Sequence, residues 1–343
     1  MNVTPQHRAR VSILLIILSC APAFCLAAEQ DGVLEGDLRC HDPHIAKEGG
    51  KYYLFSTGSR EGFIPIRCSS DLKHWSLCGH VFDTIPAWAK QEIPEARGAW
   101  APDPAYFSGK WHVYYSVSTF GKNRSVIGVA TNRTLDPTSK DYQWVDQGKV
   151  IESFPQDDWN AIDDNAFVDG KGQVWMDFGS FWSGVQMIRI DPATGKRSVE
   201  DTTLHSLASR PRKPPISASI EGSYIFRRGD YYYLFASFDF CCKGVNSTYN
   251  IRVGRARQPV GPYVDKDGKP MLEGGGTLLL EGEEQWRGPG HQSVLHDESG
   301  DYIFFHAYHG KTGKPYLQIG RLEWKDDWPE IVSVWRPSAK AVQ

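Results

Sequence analysis

GGKYYLFSTG at 49–58, SGKWHVYYSV at 108–117, GKGQVWMDFG at 170–179, RGDYYYLFAS at 228–237 and SGDYIFFHAY at 299–308 are five versions of one phrase. Each is a turn followed by a run of aromatic and β-branched residues, and the starts lie about 60 to 70 residues apart. A fixed repeat marks an architecture whose units cannot bury their own faces alone, and units made only of short strands point to propeller blades. Between the phrases, turn-rich segments such as SSDLKHW at 69–75, ATNRTLDP at 130–137, DPATGKR at 191–197 and ARQPVGPY at 256–263 stand where an outer hairpin would complete each blade. The sequence therefore predicts an all-β fold, a five-bladed β-propeller, with no long helix. Strand-like runs within 317–334 are expected to help close the ring with N-terminal sequence, because closure removes exposed strand edges.

Upstream of each phrase stands a polar residue: Asp42 in HDPHI, Asp103 in WAPDP, Asp163 in AIDDN, Glu221 in SIEGS and His291 in GPGHQ. The first strand of every propeller blade lines the central channel, so equivalent positions in successive blades converge on one axis. The repeat is thus expected to gather four acids and a histidine around one cavity. Clustered carboxylates repel one another and raise each other's pKa. Stability does not call for such a cluster, whereas chemistry does.

Composition fits one large domain. The 343 residues are 41% hydrophobic and 13% aromatic, enough for a sizeable core, and the 38 Lys+Arg and 41 Asp+Glu are scattered, giving a net charge of −3. No basic stripe suggests a nucleic acid partner. At the N-terminus, Arg8 and Arg10 precede an apolar stretch from Val11 to Leu18 and small residues ending near Ala28. That order reads as a secretory signal over 1–28, with a single catalytic domain over 29–343 and a secreted or periplasmic location. No later stretch is long and apolar enough to span a membrane, and a monomer is expected. Of the seven cysteines, Cys20 and Cys25 belong to the signal. Cys68 and Cys78 are placed to pair across a hairpin, Cys241 and Cys242 are adjacent, and Cys40 is left over; buried small hydrophobes are the default expectation for all five.

Two carboxyl groups flanking a bond, one neutral and one ionised, are the minimal apparatus of glycoside hydrolysis. A third carboxylate can tune the acid through like-charge interaction. Asp42, Asp163 and Glu221 can fill these three posts. Sugars are held by aromatic stacking and by hydrogen bonds to hydroxyls, which directs attention to the aromatic and polar residues beside the acids.

The set HDPHI, WAPDP, WNAIDDNAFVDGKGQVWMDFGSFW, IEGSYIF, FDFCCKGVNSTYNIRVGRA and GPGHQS resembles family 43 of the glycoside hydrolases, specifically its endo-1,5-α-L-arabinanases. The resemblance runs from about Asp37 to Arg321 with every motif in order. It implies a five-bladed propeller that hydrolyses α-1,5-linked arabinofuranosyl bonds of arabinan with inversion. Asp42 then matches the general base, Glu221 the general acid, and Asp163 the carboxylate that raises the acid's pKa and orients it; Asp164 stands where relatives commonly carry proline. Asp103 receives no proton-transfer role and is expected to be structural. Trp100, Phe120, Gly121, Asn160, Ala161, Ile162, Ser180, Phe181 and Trp182 match substrate-contacting segments, and Arg252 is a candidate cation near Glu221. His291 matches a histidine beside an ion on the axis, often calcium with a shell mostly of water; no organic cofactor is implied.

Other readings are an exo-acting arabinofuranosidase or xylosidase of the same family, a retaining fructan hydrolase, and a non-catalytic carbohydrate-binding propeller. HDPHI and IEGSY argue against the fructan enzymes, which carry an Asn-Asp-Pro-Asn type of motif and a glutamate beside cysteine. The full set of three carboxylates argues against a binding module. The CCKGVNSTY segment at 241–249 favours endo over exo action.

Overall fold

The computed structural model describes residues 1–2, 32–59, 61–211 and 218–342, so the expected signal falls, but for its first two residues, outside the described part. Each repeated phrase forms the turn and second strand of an antiparallel sheet. In the first blade the strands are His41–Glu48, Lys51–Thr57, Phe63–Ser69 and His74–Phe82. The second contains Trp100–Phe107, Lys110–Val117, Ser125–Asn132 and Val145–Ser153. The third contains Asn165–Val168, Val174–Phe178 and Val185–Asp191, whose outer edge pairs with both Lys196–Arg197 and His205–Ala208. The fourth runs Ile220–Arg228, Tyr231–Phe238, Asn250–Ala256 and Thr277–Glu281, and the fifth Trp286–Asp297, Gly300–His309, Pro315–Lys325 and Trp328–Pro337. In the first blade Glu48 pairs with Lys51 across Gly49 and Gly50, both left-handed at φ 56° and 79°. A two-residue turn with both φ values positive matches the strand twist, and glycine adopts it without steric cost.

The phrases are mostly apolar, without strict alternation, because their strands are buried on both faces. In the fourth blade Tyr232, Leu234, Ala236 and Phe238 pack toward the third blade, while Tyr233 and Phe235 pack toward the fifth. In the first, Tyr52 and Leu54 meet the fifth blade, and Tyr53 and Phe55 meet the second. Each neighbouring pair of blades shares one apolar cluster, and the clusters run around the ring until the fifth blade meets the first. Five blades in a closed ring are what the sequence predicted.

Closure uses one short strand. Val33–Gly36 pairs in parallel with Trp328–Pro337 on one side and His74–Phe82 on the other, joining the outer edges of the fifth and first blades into a nine-stranded sheet. Gly36 is obligatory at this junction: its φ is +94° and a Cβ would lie 2.0 Å from the Trp75 carbonyl oxygen.

The cysteine expectation is corrected. Cys68 and Cys78 are bonded across the outer hairpin of the first blade, and Cys241 is bonded to Cys242; Cys40 alone is a buried free thiol. An odd count had argued against a framework, but removing one buried cysteine leaves two local pairs.

Candidate active site

The innermost strands carry a shared irregularity that aims the candidate site side chains. The first, second, fourth and fifth each lose register with their partner near their start, and the residue at the bulge is left-handed: Asp42 (φ 51°), Ala101 (45°), Gly222 (55°) and His291 (50°). In the third blade Asp163 (φ 62°) takes this conformation just before its strand. A non-glycine residue there costs about 1–2 kcal/mol relative to the right-handed region, and such strain collects at functional sites.

This register corrects one equivalence. The second-blade counterpart of Asp42 is Ala101, and Asp103 lies two residues deeper. Asp103 is buried below the rim, where it accepts hydrogen bonds from His44 Nδ1 (2.8 Å), Asn165 Nδ2 (3.3 Å) and the Ala166 N–H (2.7 Å). It ties the first three blades together, as expected of a structural acid. Glu221 is also offset, by one residue, from the left-handed Gly222. A Cβ on Gly222 would meet the His291 ring at 3.1 Å, so glycine lets these two inner strands approach.

Asp42, Asp163, Glu221 and His291 line one cleft of about 970 Å³. Asp42 Oδ1 faces His41 Nδ1 at 2.7 Å and His291 Nδ1 at 3.0 Å, while Oδ2 accepts the Thr57 hydroxyl at 2.5 Å. Burial opposes its ionisation, but the facing His291 and His41 outweigh that and hold the carboxyl well below the usual range. Glu221 accepts hydroxyl hydrogen bonds from Ser180 (2.5 Å) and Tyr249. Burial nevertheless pushes Glu221 up. Asp163 is pushed up to about 8 by burial, with the charges of Glu221 and Asp42 adding to the effect, and its Oδ2 accepts the Gly222 N–H at 3.3 Å. One ionised carboxylate therefore faces two buried carboxyl groups that hold on to a proton, and the proton belongs to that pair. Asp164 turns the other way, fully buried against the Ser116 hydroxyl at 3.1 Å.

The walls are aromatic. Trp100, Phe120, Phe181, Trp182 and Phe240 line the cleft together with Gly121, Asn160, Ile162 and Ser180. Phe120 is 79% exposed, which leaves its ring face open to a ligand in the cleft. Two expected binders are not brought to the cleft. Ala161 is buried in the core between the second and third blades, its N–H on Ser153 Oγ at 2.9 Å. Arg252 sits on a third strand, away from the channel, bonded to Asn250 Oδ1 (2.9 Å) and the Gly276 carbonyl (3.0 Å) and lying over Phe238.

Residues that the sequence reading passed over complete the site: His41, Thr57, Tyr249, His306 and Tyr308. His41 stacks on His306 with ring centroids 3.9 Å apart, and the Asp42 N–H donates to His306 Nδ1 at 3.2 Å. The available signal was polarity: a histidine interrupts the fifth phrase, and Tyr249 ends the CCKGVNSTY loop.

Residues 33–329 match the family model of Glycosyl hydrolases family 43. The chain belongs to glycosyl hydrolase family 43. It is therefore a glycoside hydrolase, of a family that acts with inversion. The family 43 chain is 43% identical, over 96% of its length and 94% of the relative's, to the "Extracellular exo-alpha-(1->5)-L-arabinofuranosidase" of Cellvibrio japonicus. It is 41% identical, over 84% of its length and 86% of the relative's, to the "Extracellular endo-alpha-(1->5)-L-arabinanase 1" of Bacillus subtilis. The solved structure of a Cellvibrio cellulosa α-L-arabinanase complexed with arabinohexaose superposes with a TM-score of 0.81 at 41% identity, covering 89% of this chain and 97% of that one.

The family 43 resemblance also implied an ion beside His291. The protein supplies one imidazole there, so a calcium ion, which takes six to eight oxygen ligands, would have to draw most of its shell from water. Burial disfavours the charged ring, but Asp42, then Asp163 and Glu221, raise His291 to about 9, so it is a cation whose Nδ1 is committed to Asp42. Among the described residues, the groups of three that could hold a metal centre on His41, with Cys241 and Cys242 or with Asp42 and His306, and neither includes His291. No step is routed through an ion. His291→Ala should instead act on Asp42: with its main opposing charge gone, the Asp42 pKa rises, and the acidic limb of the kcat/KM profile should move to higher pH. A pH–rate series with and without EDTA checks this; an unmoved limb, or a chelator effect equal to the mutation, contradicts it.

Proposed function

We propose that the protein is a secreted endo-1,5-α-L-arabinanase, with Asp42 as general base, Glu221 as general acid and Asp163 as the carboxylate that orients Glu221 and keeps a proton available to it. The observation that carries this reading is the placing of the acids in one aromatic-walled cleft: His41 and His291 face Asp42 and hold its carboxyl down, while burial pushes Glu221 and Asp163 up as a pair that keeps a proton. Water placed between Asp42 and the anomeric carbon loses a proton to Asp42 as it attacks. The C1–O5 glycosidic bond breaks, and the leaving oxygen takes the proton from Glu221. Attack from the face opposite the leaving group inverts the anomeric centre, which requires the two carboxyls to stand about 6.5–9.5 Å apart. Phe120, Trp100, Phe181 and Trp182 supply faces for furanose rings. Both named relatives are called extracellular, in keeping with the signal-like N-terminus.

Exo action is the second reading, favoured by the name of the Cellvibrio japonicus relative. Sizing the products released from linear, debranched arabinan in the first minutes separates the two. A ladder of oligosaccharides is expected. A single short product from the outset would replace endo with exo, and activity confined to another polysaccharide would overturn the substrate. Proton NMR of the same digest should show the inverted anomer first.

A further inference from the structure

The loop between the second and third strands of the fourth blade reaches both catalytic carboxylates. At its end, the Tyr249 hydroxyl donates to Glu221. At its start, Cys241 and Cys242 line the cleft as a disulfide-closed turn, and the Cys242 N–H donates to Tyr308 Oη at 2.9 Å. Tyr308 Oη lies 2.6 Å from His41 Nε2, and His41 Nδ1 lies 2.7 Å from Asp42 Oδ1.

These contacts have a defined sense. A backbone N–H only donates, so the Tyr308 oxygen accepts from Cys242 and its own hydrogen is free for His41 Nε2. Nε2 then accepts, the His41 proton resides on Nδ1, and it is donated to Asp42. We propose that the Cys241–Cys242 disulfide is a positioning element for the catalytic base: by holding the Cys242 N–H on Tyr308 it fixes the tautomer and orientation of His41, and through His41 the carboxylate of Asp42. The inference rests on the reading of Asp42 as base.

The rest of the loop is tied mainly within itself, and Ser247 adds a side-chain hydrogen bond to Tyr308. Its base is closed by the Thr248 and Tyr249 N–H groups on the Phe240 carbonyl (2.8 and 3.2 Å), and its middle by the Lys243 N–H on Ser247 Oγ (3.0 Å). At the exposed Cys242 the fixing contacts are the bonded sulfur, which packs 3.8 Å from His41 Nε2 and 3.9 Å from Tyr308 Oη, and the N–H itself. A vicinal disulfide restricts the backbone at the residue whose N–H must stay aimed.

The test is reversible reduction. Dithiothreitol supplies two electrons and two protons, leaving two thiols on the loop and a cyclic disulfide on the reagent. The measurement uses the Cys68→Ser/Cys78→Ser variant, which leaves the loop disulfide as the one among the described residues; Cys40 is buried, its thiol pushed up to about 12. On reduction kcat should fall by about tenfold, the scale of losing one hydrogen bond to a charged group, with KM changed less than twofold. The acidic limb of kcat/KM should move to higher pH as Asp42 loses a donor, and reoxidation should restore both. Tyr308→Phe in the oxidised enzyme should reproduce the loss and the shifted limb, and reduction should then add nothing. An unmoved acidic limb overturns the inference, as does an effect on KM alone or a further loss on reducing Tyr308→Phe. The Asp42→Ala variant separates the two failures. If it is inactive while reduction changes nothing, only the role of the disulfide falls; if it retains full turnover, the base assignment itself is wrong.

Discussion

Asp42→Ala and Glu221→Ala should each lower turnover on arabinan by about 10²–10⁴-fold or more, the range expected when a positioned proton-transfer group is lost. The fold should survive both changes, because the blades are held by the inter-blade clusters and neither carboxylate belongs to them. Asp42→Ala also removes the partner of His41 and His291, and so relieves the burial of an ionised group while leaving two imidazoles to find solvent. Its melting temperature should therefore change little compared with its loss of rate. Initial rates on linear arabinan together with thermal unfolding check the pair; retention of more than a tenth of wild-type turnover by either variant would remove that residue from its role.

Asp163→Asn is expected to have the next largest effect, about 10²-fold in kcat, with a characteristic change in pH dependence. With Asp42 as base and Glu221 as acid, as proposed, the reaction needs the first ionised and the second protonated, so kcat/KM should fall in acid as Asp42 takes up a proton and in base as the Asp163–Glu221 pair loses one. Asp163 lies beside Glu221 through the Gly222 N–H, and the like charges of the two oppose ionisation of both at once, so the pair holds one proton. Without that like charge the Glu221 pKa falls, and the basic limb should move to lower pH while the acidic limb stays in place. A pH–rate profile reads this directly. A basic limb that stays put would leave Asp163 a structural role only.

The fold was legible because burial on both faces writes the same apolar phrase five times, and the phrases carry their own turns. The three site carboxylates were legible for a related reason, since repetition places equivalent residues on one axis. Register was the hidden variable. A bulge shifts the ladder, so Asp103, which looked equivalent to Asp42, lies two residues below the rim while Ala101 takes the rim position. Arg252 was a candidate because a cation on its strand could reach Glu221 from the channel, yet third strands stand away from the axis. The contacts of the histidine and tyrosine network around Asp42 were not legible, although single polar residues in apolar phrases hinted at its members. His41, Tyr308 and Cys242 come together from the first, fifth and fourth blades, and sequence spacing says nothing about contacts between blades.

The assignment of opposite proton-transfer roles to Asp42 and Glu221 is tested most directly by leaving-group dependence. Wild type, Asp42→Ala and Glu221→Ala would be compared on aryl arabino-oligosaccharides whose phenol leaving groups span a range of pKa. Departure of an acidic phenol needs little protonation, so the Glu221→Ala variant should recover most of its rate as the leaving group improves. The Asp42→Ala variant should stay slow throughout, because water still lacks a base. Equal recovery of both variants, or recovery of Asp42→Ala alone, would contradict the account.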